Sequence, residues 1–254
     1  TASGVWTSSN TAVATVNASG VVTGVAAGST TITYTVTTNG CTANAQAVVN
    51  VNALPTLAAI GGTMNACIGS STILTNTTSG GVWTTSNAAV ATVNTITGNV
   101  TGVTAGTATI TYTYTNSNGC TSAVSTTVTI NALPVVAAIT GTTSVCEGAT
   151  TTLASTTTGG VWSTANTATA TINSTTGVVT GVAAGTTTMT YTVTNANGCT
   201  SSVSTALVVN AIPQVAAISG TTEVCVGLTT ALANATASGV WTSSNTAVAR
   251  IDAS

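Results

Sequence analysis

The chain has 254 residues, 43% hydrophobic and 2% charged, with one Lys or Arg, three Asp or Glu, no His and a formal net charge of −2. Charges this sparse, about a tenth of the usual share, leave no basic surface to neutralise phosphates and exclude nucleic-acid binding. The normal apolar content argues against disorder, and no run of 18 apolar residues is present to cross a bilayer as a helix.

Read from the start, the first recognisable element is SGVWTSSNTAVATVN, which returns as GGVWTTSNAAVATVN, GGVWSTANTATATIN and SGVWTSSNTAVARID. Its tryptophans, Trp6, Trp83, Trp162 and Trp241, lie 77, 79 and 79 residues apart. Cys41, Cys120 and Cys199 recur at 79 residues, as do Cys67, Cys146 and Cys225, and Pro55, Pro134 and Pro213. The first interval is two residues short: one is lost at the Asn17–Gly20 turn and one in the turn before Cys41. Length changes confined to turns are what fixed strands tolerate.

A fixed period of this length means an array of repeated units. The boundaries expected are a partial repeat at 1–52 with C-terminal strands only, complete repeats at 53–131 and 132–210, and a partial repeat at 211–254 with N-terminal strands only. A first unit opening at its tryptophan strand suggests a window on a longer polypeptide. Between units, Asn-Ala-Leu-Pro or Asn-Ala-Ile-Pro forms a short, semi-rigid linker at Pro55, Pro134 and Pro213. Packing of Leu54, Leu133 and Ile212, or the disulfides, is expected to stiffen it, with consecutive units stacked end to end.

Within a unit, the patterning has period two. In residues 187–194, Met189, Tyr191 and Val193 alternate with threonines, the mark of a half-buried strand. Residues 177–182 and 202–210 also read as strands, and turns separate them at 174–177, 183–185 and 195–198. No helical period survives. About seven strands per unit, with a tryptophan on the third, predict an all-β fold of tandem antiparallel immunoglobulin-like β-sandwiches, with the four tryptophans in the cores.

The run from Trp162 to Thr194, with its Trp-Ser-Thr-Ala-Asn opening and its Gly-Val-Val-Thr-Gly-Val-Ala-Ala-Gly-Thr core, resembles bacterial immunoglobulin-like domains of group 2. That family includes the stalk domains of intimin- and invasin-type adhesins. The added cysteines, in Val-Cys-x-Gly and Asn-Gly-Cys-Thr contexts, look like repeats of giant surface proteins of Bacteroidota. The resemblance implies tandem stalks displayed at a bacterial cell surface and no catalysis.

Six cysteines in two registers, with no His to complete a zinc tetrad, point to disulfides formed outside the cell. Two pairings are open. Within one unit, Cys67 would join Cys120 and Cys146 would join Cys199, each closing a loop of about 53 residues that contributes about 4 kcal/mol by chain entropy. Head to tail, Cys67 would join Cys199 of the following unit. Strand order sets the two cysteines of one unit at opposite poles, which weighs against the first pairing. A Cys41–Cys67 link would need to span two units.

No chemistry-bearing constellation emerges. Glu147 aligns with Ile68 and Val226, and Glu223 with Asn65 and Ser144, so a repeated active site would lose its acid from unit to unit. Arg250 and Asp252 replace Thr and Asn in the last copy only. The junctions hold no carboxylate cluster for calcium, the glycines lack a phosphate-loop context, and the sequons at Asn76 and Asn173 are those that chance supplies in an Asn- and Thr-rich chain. No catalytic residue, metal site or cofactor is expected.

The function expected is a non-catalytic repeat array of an extracellular stalk, adhesin or self-associating filament. Its partners would be copies of itself, end to end and through sparsely charged strand edges. The competing reading is a binding module whose Thr-rich faces meet a surface glycan or ice. Free exchange of Thr and Ser between units favours the first.

Overall fold

Alternation of threonine with apolar residues turns one face of a strand to water and the other to a core, and β-branched side chains suit the pleat. The computed structural model describes residues 4–252; residues 1–3 and 253–254, at the outer ends of the two partial repeats, lie outside the described residues. All regular structure among the described residues is β. The chain divides into two units.

The first unit runs to Pro134 and takes in Thr194–Thr200. Its strands are β1 (Val5–Ser8), β2 (Ala14–Val16), β3 (Val22–Gly24), β4 (Gly28–Thr38), β5 (Cys41–Val51), β6 (Gly61–Gly62), β7 (Asn65–Cys67), β8 (Ser71–Thr75), β9 (Val82–Thr85), β10 (Ala91–Val93), β11 (Asn99–Gly102), β12 (Gly106–Thr115) and β13 (Thr121–Asn131). The repeat at 53–131 is a sandwich of two four-stranded sheets, in the orders β10-β11-β8-β6 and β7-β13-β12-β9. Leu74 and Val100 from one sheet meet Trp83, Ile110, Val128 and Ile130 from the other in a single core.

Its strand-to-strand pairings are antiparallel except one. After β6 pairs with β8, the chain crosses to the other sheet, and β7 runs parallel to the end of β13, with Ala66 opposite Ile130 and Cys67 opposite Asn131. Sequence periodicity predicts strands but not this change of sheet, because two and three residues are too few to show a period.

The second unit holds β14 (Thr140–Gly141), β15 (Ser144–Cys146), β16 (Thr150–Ala154), β17 (Val161–Thr164), β18 (Ala170–Ile172), β19 (Val178–Gly181), β20 (Gly185–Thr194), β21 (Thr200–Asn210), β22 (Ser219–Gly220) and β23 (Leu232–Ala233). The same sandwich recurs, in the orders β14-β16-β19-β18 and β15-β21-β20-β17. Leu153, Trp162, Val179, Met189 and Leu207 fill its core.

The partial repeats are the same design with strands missing. In the first, β1-β4-β5 and β2-β3 form without any counterpart of β6–β8. In the last, among the described residues, β22 pairs with β23 alone. Val224, whose equivalent Val145 is 7% exposed, is 50% exposed there.

Candidate functional site: a disulfide junction between repeats

Each complete repeat is organised around a tryptophan and a tyrosine on adjacent strands. Trp83 of β9 stands opposite Tyr112 of β12, with ring centroids 4.6 Å apart, and Trp162 and Tyr191 repeat this at 4.6 Å. The tyrosine hydroxyls reach across the sandwich edge. The Tyr191 hydroxyl accepts the Gly160 N–H at 2.8 Å and donates to the Thr157 carbonyl at 2.8 Å; Tyr112 does the same with Gly81 and Thr78. The glycine before Val-Trp in each complete repeat is required by the ring: a Cβ at Gly160 would lie 2.4 Å from the Tyr191 Cζ.

Trp83 and Trp162 are thereby buried, at 3% and 5% exposure, and present no face on which a sugar could stack. Trp6 and Trp241 depart from the expected core position. Trp6 contacts Tyr34 at 4.5 Å, but both tryptophans remain half-buried because their repeats lack strands that would close over them.

The cysteines make the junction. Cys67 ends β7 beside Asn131, the last residue of β13, and therefore sits where the chain leaves its repeat. Cys199 lies in the turn between β20 and β21, at the opposite pole of the following repeat. They are bonded, with Cα atoms 5.6 Å apart and a sequence separation of 132.

The pairings Cys67–Cys120 and Cys146–Cys199 are corrected by this geometry. Cys146 stands opposite Asn210 at the end of β21, whereas Cys199 precedes Thr200 at its start. The eleven residues of β21 therefore separate the two poles, a span of about 33 Å that no disulfide bridges. Cys41, Cys120, Cys146 and Cys225 are free thiols in the single chain.

An asparagine builds the receiving turn. The Asn195 side-chain oxygen accepts the N–H groups of Asn197 and Cys199, both at 3.0 Å, and its amide donates to the Ala132 carbonyl of the preceding linker at 2.9 Å. The Cys199 Sγ then lies 4.0 Å from the Asn131 carbonyl. Asn116 makes the same three bonds to Asn118, Cys120 and Ala53, with the Cys120 Sγ 3.9 Å from the Asn52 carbonyl. Residues 37–41 lack this asparagine. There Asn39 and Gly40, both at positive φ, close a tight hairpin, and Cys41 pairs with Thr38 at the head of the ladder.

Sequence reasoning passed over Asn116 and Asn195, although Asn-x-Asn-Gly-Cys recurring before the cysteine was the available cue. Linker stiffness was expected from packing of Leu54, Leu133 and Ile212 or from the disulfides. The three apolar residues are 67%, 38% and 54% exposed, so the asparagine bonds to Ala53 and Ala132 carry that role at the first two junctions. Pro55 and Pro134 are half-buried in strand-free chain, and Pro213 is exposed.

The Glu147 carboxylate accepts the Ala184 N–H at 2.7 Å, and among the described residues no group of three His, Cys, Asp or Glu could hold a metal.

No curated protein matches the chain in sequence. Among solved structures it is similar to domains 1–6 of the surface layer protein SbsC, at 20% identity over 87% of this chain and 37% of that one, with a TM-score of 0.29. It thus spans little more than a third of that protein segment. Mouse cadherin-23 EC22–24 gives 12% identity over 83% and 87% of the two chains, with a TM-score of 0.27. The C-terminal fragment of intimin, in complex with the intimin-binding domain of its translocated receptor, gives 15% over 76% and 60%, with a TM-score of 0.26. The family model of the bacterial Ig-like domain (group 2) matches residues 1–49 and 70–128, and over those residues the chain is bacterial immunoglobulin-like domain of that group, in tandem.

Proposed function

We propose that the chain is a non-catalytic, tension-carrying repeat array of an extracellular bacterial stalk, adhesin or self-associating filament. The observation that carries this reading is the Cys67–Cys199 bond, which spans a repeat boundary and not one sandwich. Tension entering along the chain passes through the disulfide, and the 132-residue separation it bridges is shielded from the pull. A disulfide of this kind persists in an oxidising compartment, which favours a surface location.

The outward faces support a structural role over a glycan-binding one. Thr111 and Ser125 hydrogen-bond across β12 and β13 at 2.9 Å, and Thr190 and Ser204 do so across β20 and β21 at 2.9 Å. These hydroxyls spend donor and acceptor capacity on one another and strengthen the sheet. Copies of the chain are the partners that such sparsely charged sheets accept most readily.

Antibodies to the repeat, applied to intact cells and followed by electron microscopy, test the reading. Label on external fibres or stalks is expected; label that appears only after permeabilisation overturns it.

A further inference from the structure

The triplet Asn-Gly-Cys occurs in three successive repeats, as Asn39-Gly40-Cys41, Asn118-Gly119-Cys120 and Asn197-Gly198-Cys199, each time between the two longest strands. An asparagine followed by glycine carries a chemistry of its own. The glycine nitrogen can close on the asparagine side-chain carbon, because no Cβ on the glycine stands in the way.

Local sequence does not separate the three sites, and neither does space. Each of these asparagines and glycines is exposed, and a Cβ at Gly40, Gly119 or Gly198 would meet nothing within 4 Å. Hydrogen bonding separates them. Asn116 clamps three consecutive N–H groups: its side-chain oxygen accepts those of Asn118 and Cys120, and its backbone carbonyl accepts that of Gly119, each at 3.0 Å. Asn195 clamps Asn197, Gly198 and Cys199 in the same way, again at 3.0 Å. The attacking nitrogen is thereby engaged, and the backbone on both sides of it is fixed.

The turn from β4 to β5 is one residue shorter and has no such asparagine. Two residues, Asn39 at φ +55° and Gly40 at φ +83°, join Thr38 to Cys41 in a tight hairpin. Among the described residues the Gly40 N–H has no hydrogen-bond partner. Asn39 alone of the three asparagines is left-handed, a conformation that strains an L residue and that ring closure relieves.

We propose that Asn39 is a site of spontaneous deamidation, and that its product marks the age of the chain with a carboxylate two residues from Cys41. The Gly40 nitrogen gives up its proton and bonds the Asn39 Cγ. The bond from Cγ to the side-chain amide nitrogen breaks, and ammonia leaves with that proton, so a succinimide remains. Water adds to one of its two carbonyls and opens the ring. Aspartate results from one opening, and from the other isoaspartate, whose main chain runs through the former side chain. Either product adds a negative charge to a chain with only three Asp or Glu. Isoaspartate also lengthens the two-residue turn and shifts Cys41 from its place opposite Thr38.

The experiment ages the full chain in mildly alkaline buffer, then follows each site by digestion and mass spectrometry, with isoaspartate counted by enzymatic carboxyl methylation. Asn39 is expected to convert about tenfold faster than Asn118 and Asn197, the factor that two ordinary hydrogen bonds supply. Unfolding in urea should abolish the difference. Asn116→Ala should raise Asn118 to the rate of Asn39 while Asn197, still clamped in the same molecule, stays slow; that contrast separates release of one turn from loss of the whole fold. Equal rates at the three sites of the folded chain, a difference that survives urea, or an Asn118 that stays slow in Asn116→Ala would each overturn the proposal.

Discussion

Asn195 ties Cys199 to the preceding linker: one side-chain oxygen takes the Cys199 N–H at 3.0 Å while the amide of the same residue holds the Ala132 carbonyl at 2.9 Å. The thiol is therefore presented by a turn that is itself fastened to the chain leaving the previous repeat. Pre-organisation of this kind makes a bond between distant cysteines reproducible.

Removing that support should loosen the bond without deleting it. Asn195→Ala leaves the Ala132 carbonyl and two turn N–H groups without their partner, at a cost of about 1–3 kcal/mol locally. Reduction of Cys67–Cys199 by dithiothreitol is expected to accelerate several-fold, read by thiol trapping and mass spectrometry. An unchanged reduction rate would mean that the turn holds its shape unaided.

Mechanical unfolding checks the tension path. With the bond intact, a chain pulled from its ends should withhold the 132-residue span, about 450 Å of contour, and release it once reductant is added. Single-molecule force spectroscopy reads this directly, and Cys199→Ser should show the full length from the start.

The tyrosine hydroxyl is expected to matter as much as the ring. Tyr191→Phe strands the Gly160 N–H and the Thr157 carbonyl and should cost about 1–3 kcal/mol in chemical denaturation. Tyr114→Phe is the control, since no hydrogen bond holds that hydroxyl among the described residues, and it should stay within about 0.5 kcal/mol of the parent.

Neighbouring glycines should differ for different reasons. Gly159 has φ of +79° and open space around it, so Gly159→Ala carries only left-handed strain, about 1 kcal/mol. Gly160→Ala drives a methyl into the Tyr191 ring and should cost about 3 kcal/mol, with a change in Trp162 fluorescence that Gly159→Ala lacks.

Truncating the repeated leucine separates complete from incomplete cores. Leu153→Ala opens a cavity in a closed sandwich, at about 2–5 kcal/mol. Leu232→Ala, at a half-buried site, should cost under about 1 kcal/mol in the reduced monomer. Equal losses would show the last repeat to be as fully packed as the third.

The repeat, the strands and the burial of Trp83 and Trp162 were legible because each is a local pattern. Alternation of Thr with Ile, Met, Tyr and Val over ten residues of β12 and β20 leaves one face to bury, and the 79-residue period shows how often the unit recurs. Tyr112 and Tyr191 showed in the sequence only as apolar alternants, since their bonds to Thr78 and Thr157 join positions 34 residues apart.

What the amino-acid order determined by itself was composition, period and strand character, which are properties of a few neighbouring residues. The partner of each cysteine was decided only in three dimensions. Spacing alone offered Cys67 either Cys120 or Cys199, whose loops differ by only about 0.8 kcal/mol in chain entropy. The crossing from β6 to β7 then set Cys67 at one end of β13 and left Cys120 at the other. A covalent bond requires contact within a few ångströms, and which residues come that close depends on how whole sheets are stacked and crossed.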